Sequence, residues 1–195
     1  MLDEKKVQES KKRIEQALSR NEIVKEKEGK FVEFFLNNAR NSSDVAKLLY
    51  EVSTKQEMKK LTGFPDFNGF LWVINSSYYS MFYMVRALLE SSGVKIKTEQ
   101  SVHVLAFDAL IYYLYSNGRI EKQLIEEFQE AVAEAQESLG KEKARSLMDD
   151  YFSEREKRSR FTYEMGETAL ENKASTSLER AKRFNETLRK MIKIV

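Results

Sequence analysis

The sequence predicts an all-α protein, an up-and-down antiparallel bundle of four to six helices. Three observations carry this. One proline and seven glycines in 195 residues leave few breaks, which argues against a loop-rich all-β chain. Apolar residues recur at spacings of three and four along most of the chain. No stretch shows a convincing strand alternation.

Residues 1–28 read as an N-terminal extension. They are rich in Lys and Glu, with a thin stripe of Val7, Ile14 and Leu18. Such a pattern describes a solvated helix packing on one narrow face, either a plain surface helix or a partner-docking arm. Residues 29–195 read as the bundle. Its first helix covers 31–60, with Phe31, Phe34, Phe35, Val45, Leu48, Leu49 and Val52 as apolar positions. Asn37, Asn38, Asn41, Ser42 and Ser43 mark a polar face or a break in its middle. The turn LTGFPDFNG follows. Pro65 disfavours helix at Phe64, and Asp66 is the expected N-cap of the next helix.

Residues 67–92 carry the clearest stripe: Phe67, Phe70, Leu71, Ile74, Tyr78, Met81, Phe82, Val85, Leu88 and Leu89. This is one wide apolar face of a helix of about seven turns. VKIKTEQ connects it to a helix over 99–116, with Val102, Leu105, Ala109, Tyr112 and Tyr113 inward. Residues 119–160 form one long helix, or two bent near Gly140. Residues 166–175 read as irregular. The last helix opens on a capping box, Thr176-x-x-Glu179, and turns Leu178, Ala181, Phe184, Leu188, Met191 and Ile192 inward. Gly29, Gly63, Gly93, Gly118, Gly140 and Gly166 fall where helix stops are expected.

Composition narrows the function classes. The chain has no cysteine, which removes disulfide scaffolds, thiolate metal sites and thiol nucleophiles and suits a reducing, cytoplasmic setting. The net charge of +2 gives no strong global field for nucleic acid, so an anion site must be a local cluster. The N-terminus lacks the apolar core of a signal peptide. The greasiest stretch, 69–89, is interrupted by Asn75, Ser76, Ser77, Ser80 and Arg86, as a buried helix is and a membrane span is not. No phosphate-cradling glycine loop, nucleophile elbow or metalloprotease motif is present. The single histidine, His103, has Glu99 four residues before it. A carboxylate-bridged di-metal bundle needs Glu-x-x-His twice. No metal or other cofactor is expected, and His103 reads as a capping, packing or surface residue.

The most unusual local chemistry is SEREKRSRFTYEMGE, residues 153–167, with Arg155, Lys157, Arg158 and Arg160 packed into six residues beside Asp149, Asp150, Glu154 and Glu156. On residue type alone this is a solvated helix end carrying pairs such as Glu154–Arg158. Arg155 and Arg158, three apart, share a helix face, while Arg160 points elsewhere.

The stretch NSSYYSMFYMVRALLESSGVKIKTEQSVHVLAF, residues 75–107, resembles the central helix and following connection of HEPN-domain proteins. RSRFTY, residues 158–163, followed by a closing helix resembles their signature of Arg, four to six residues, then His. The resemblance spans roughly residues 31–195. It implies an α-helical homodimer whose motifs face one another across a shared cleft. It further implies binding of RNA or a nucleotide, metal-independent ribonuclease activity in many members, and toxin–antitoxin pairing with a nucleotidyltransferase. Arg158 would then be the phosphate anchor and Arg155 and Arg160 supporting cations.

The chain departs from the signature at Tyr163, where the family places His. An unperturbed tyrosine is ionised only about once in a thousand molecules at pH 7, so Tyr163 suits hydrogen bonding or base stacking better than proton transfer. The expectation is an RNA- or nucleotide-binding module with weak or absent nuclease activity. The alternatives are an active ribonuclease, in which Tyr163 or His103 transfers protons or Arg158 stabilises the transition state alone, and a partner-binding bundle whose Arg cluster is solvated.

Overall fold

The computed structural model describes residues 2–26, 29–98, 101–152 and 160–192, with the backbone alone at 139–152 and 160–168. In chain order these form α1 (Glu4–Ser19), β1 (Ile23–Lys25), α2 (Val32–Thr54), α3 (Gln56–Thr62), α4 (Phe70–Ser91) and β2 (Val94–Ile96). Then come α5 (Val102–Leu110), a π-helical turn (Ile111–Tyr115), α6 (Lys122–Phe152) and α7 (Arg160–Met191). The class is all-α, a bundle of helices with one two-stranded ribbon.

The stripe of residues 67–92 makes α4 the axis of the bundle. Val73, Ile74, Met81, Phe82, Val85, Leu88 and Leu89 are all buried. Helix α2 lies antiparallel to it and is pinned at both ends. Glu90 Oε1 accepts from the Phe31 amide at 3.3 Å, and Ser53 Oγ accepts from the Gly69 amide at 2.9 Å. Helices α6 and α7 run antiparallel on the other side, joined where Arg180 and Ser177 donate to Glu134 at 2.7 and 2.8 Å. Phe128 is fully buried between these layers, stacked on Tyr78 (6.1 Å) and Phe184 (5.6 Å). Truncating such a ring costs about 3–5 kcal/mol, so this stack ties α4, α6 and α7 together.

Several elements differ from the sequence expectation, each for a local reason. The helix expected over 31–60 breaks at Lys55, whose extended backbone (φ −100°, ψ 116°) separates α2 from α3. Helix α4 starts at Phe70 rather than after Asp66, with Asn68 Oδ1 accepting from the Phe70 amide at 3.4 Å. Ile23 and Val24 leave the N-terminal helix and pair antiparallel with Val94–Ile96. The chain can turn there because Asn21 adopts φ 56° after α1 and Gly93 adopts φ 74° after α4. A Cβ at Gly93 would sit 2.8 Å from the Glu26 carbonyl, so the ribbon's closure requires glycine.

The stretch 166–175 is helical, not irregular, and α7 runs unbroken from Arg160. Thr176 is no cap: its hydroxyl donates back to the Asn172 carbonyl at 2.9 Å. Burial decides this, since Ala174 with Leu170 and Leu178 closes a small core on Phe70, Val73 and Ile74. Gly140 and Gly166 also lie inside helices. Helix α1 buries more than its thin stripe suggests, placing Ser10, Ile14 and Ala17 in the interior.

Candidate functional site: a cavity between four helices

Four helices meet around a cavity of about 360 Å³. Helix α1 contributes Lys6, Glu9, Ser10 and Arg13, the face generated by spacings of three and four. Helix α4 contributes Tyr78 and Tyr79, and α5 contributes His103, Val104, Phe107 and Asp108. Helix α6 closes the far wall with Gln129, Val132, Ala135 and Gln136. Six of these residues are aromatic or aliphatic and eight are polar or charged, so apolar walls are combined with an unusually rich set of polar groups.

The polar groups fall into two sets. The first surrounds Asp108, which is fully buried in α5. Its Oδ2 accepts from Arg13 Nε at 2.6 Å, and its Oδ1 accepts from Arg13 Nη2 at 2.8 Å and from Ser10 Oγ at 2.7 Å. This fork-on-fork geometry is the strong form of a carboxylate–guanidinium pair. It raises the Arg13 pKa further, chiefly through the hydrogen bonds to Asp108. Ser10 is committed as a donor to a carboxylate that already holds a guanidinium. It is not an activated nucleophile.

The second set is Tyr78 with His103, whose Oη and Nδ1 lie 2.6 Å apart. Burial pushes the Tyr78 phenol well above its ordinary value. Burial, then the positive Arg86, pulls the His103 imidazole below 6.5. Both groups are therefore neutral at pH 7. The phenol keeps its proton, and which partner donates across the contact follows the imidazole tautomer. Either way Nδ1 is committed to Tyr78, and Nε2 is the ring nitrogen left for another partner. Rings crowd it, with Phe82 at 4.3 Å and Tyr79 at 5.8 Å between centroids. Gln129 adds one unmet demand: its Oε1 is buried without a hydrogen-bond partner among the described residues.

Among the described residues, no three His, Asp or Glu side chains are grouped to hold a metal ion, and no helix is long and apolar enough to cross a membrane. Of the residues singled out from sequence, Arg155 and Arg158 lie outside the described residues. Arg160 and Tyr163 stand in the opening turns of α7, where only the backbone is described. His103 is half-buried at the cavity wall, tied to Tyr78. No protein-family model, curated protein or solved structure matches the chain.

The sequence reading missed Ser10, Arg13, Asp108 and Gln129. One signal for them was present. VHVLAFDAL places an aspartate three residues after Leu105, on the apolar face of an otherwise uncharged segment. A carboxylate there demands a cationic partner from another element. Which arginine supplies it is a tertiary matter that periodicity does not encode.

Proposed function

We propose that the chain is a binding protein for a small, flat, uncharged ring compound, held in the cavity between α1, α4, α5 and α6. The observation that carries this is the balance of the lining. Two cations, Lys6 and Arg13, are matched by two carboxylates, Glu9 and Asp108, within aromatic and aliphatic walls. A site without net charge selects a neutral occupant over a phosphate or a metal ion. Tyr79 and Phe107 supply ring faces and edges for stacking. Nε2 of His103 and the side-chain amide of Gln129, whose Oε1 is buried without a partner among the described residues, supply the polar contacts. A nucleobase or nucleoside combines a flat ring with an acceptor and a donor. This site is separate from the nucleotide site implied by the HEPN resemblance, which would use Arg155, Arg158 and Arg160.

The test is thermal denaturation and titration calorimetry against a panel of nucleobases, nucleosides, nucleotides and aliphatic controls. Neutral ring compounds are expected to raise Tm and to bind with a negative heat-capacity change. Val132→Phe, which fills the cavity, is expected to abolish both effects. Equal or tighter binding of the corresponding 5′-phosphates would contradict a charge-neutral site.

RNA cleavage is a separate proposal and rests on the RSRFTY resemblance alone. Its test is cleavage in EDTA, lost on Arg158→Ala.

A further inference from the structure

The apolar residues of α2 divide between two faces. Val32, Phe35, Leu36, Ala39, Ala46 and Val52 are buried against the bundle. Phe31, Phe34, Val45 and Leu48 are 53%, 57%, 46% and 53% exposed. Together with Asn38 and Asn41, the exposed set occupies positions 31, 34, 38, 41, 45 and 48. The intervals alternate three and four, the spacing of a coiled-coil seam. Its next position, Val52, is buried against the bundle, and Asn38 is half-buried with its amide donating to the Phe34 carbonyl at 2.7 Å, so the exposed part of the seam ends at Leu48.

Its chemistry is symmetric about its own centre. From either end it reads apolar, apolar, Asn. A two-fold axis midway between Asn38 and Asn41 sets Phe31 against Leu48, Phe34 against Val45, and Asn38 against Asn41 of an antiparallel second copy. An isologous interface requires this self-complementarity, and a heterologous partner would have no reason to impose it. Amides at the centre of an apolar seam fix its register.

The area is sufficient. The flank continues into the outer face of α4, where buried Phe35 stacks on half-buried Tyr83. Trp72, on the same face two turns before Tyr79, is 51% exposed. Each half-exposed aromatic ring offers about 100 Å². With the seam, this sums to several hundred Å² per copy, more than monomers ordinarily leave in one patch and approaching the roughly 800 Å² per partner of a stable complex.

We infer that the exposed face of α2 is a homodimer interface, in which two copies of this helix pack antiparallel with Asn38 and Asn41 at the two-fold axis. The inference does not depend on what fills the cavity.

The native chain has no cysteine, so single substitutions report the register cleanly. Light scattering of the wild-type protein at micromolar concentration is expected to give twice the chain mass, and Phe34→Asp is expected to halve it. On mild oxidation, a mixture of Phe34→Cys and Val45→Cys proteins is expected to cross-link, as is a mixture of Asn38→Cys and Asn41→Cys. Phe34→Cys alone is expected not to. A wild-type monomer overturns the inference and leaves the face to a different partner. Self-linking of Phe34→Cys overturns the antiparallel register. A dimer that forms without any of these cross-links assigns the interface to another surface.

Discussion

Arg13 of α1 and Asp108 of α5 form a two-pronged pair, Nε on Oδ2 at 2.6 Å and Nη2 on Oδ1 at 2.8 Å. The carboxylate is fully buried, whereas the guanidinium keeps 43% of its side-chain surface exposed. The pair joins elements 95 residues apart in the chain and forms one end of the cavity.

That asymmetry sets the first prediction. Arg13→Ala leaves a buried carboxylate with only Ser10 as donor. The expected loss is about 2–3 kcal/mol, below the roughly 3–5 kcal/mol of a fully buried pair because the guanidinium is partly solvated. Replacing both partners, Arg13→Met with Asp108→Leu, removes the uncompensated charge and is expected to restore stability to within about 1 kcal/mol of wild type. Urea denaturation of the single and double variants checks both. A double variant no better than the single would mean that the pair does more than neutralise itself.

The ribbon carries an acid-sensitive clasp. Glu26 meets Lys95 Nζ at 2.6 Å and Lys97 Nζ at 3.0 Å. The hydrogen bonds to Lys95 and then Lys97 lower its carboxyl from 4.5 to about 2. A carboxyl depressed in the folded state contributes stability above its unfolded value and loses it as pH falls through the folded one. The difference between wild type and Glu26→Gln is therefore expected to be greatest above pH 4.5 and to vanish near pH 2. Denaturation midpoints of the two proteins across that window measure it. A difference independent of pH would exclude ionisation as its source.

His103 titrates in the opposite sense to a histidine that gains an acidic partner. Burial holds its folded pKa below 6.5, so between that value and 6.5 the unfolded chain binds more protons. Stability then falls as pH drops below 6.5. His103→Gln is expected to remove this segment of the pH dependence and leave stability flat across it. The chain has one histidine, so a single imidazole NMR resonance follows the titration directly. A midpoint above 6.5 would show that burial does not govern the ring and would overturn the expected loss of stability.

The bundle was legible because its signals are local. The stripe of α4 and the stops at Gly63 and Gly93 are written in consecutive residues, and the structure uses them as read. The breaks that failed depend on distant neighbours. Residues 166–175 lack a strong stripe of their own and become helix because Ala174 and its flanking leucines find Phe70 and Ile74. Ile23 and Val24 become a strand because Val94–Ile96 arrives beside them. The cavity was invisible for the same reason. Its residues come from four segments spread over positions 6–136, and only Asp108 advertised itself, as a charge on an apolar face. Phe31, Phe34, Val45 and Leu48 were visible as apolar, but periodicity alone does not say which of two apolar faces meets the bundle.

Gln129 separates stability from binding. Its Oε1 is buried without a partner among the described residues, and an unmade hydrogen bond of that kind costs about 1–3 kcal/mol. Gln129→Leu keeps a similar volume and removes the demand. The variant is expected to match or exceed the wild-type stability by about 1 kcal/mol while binding neutral ring ligands more weakly, because the ligand's donor then meets a hydrocarbon wall. Functional sites commonly trade stability for recognition in this way. Thermal denaturation with and without ligand gives both quantities from one experiment. A variant that is destabilised, or that binds as the wild type does, would place Gln129 in the scaffold and remove the acceptor from the proposed site.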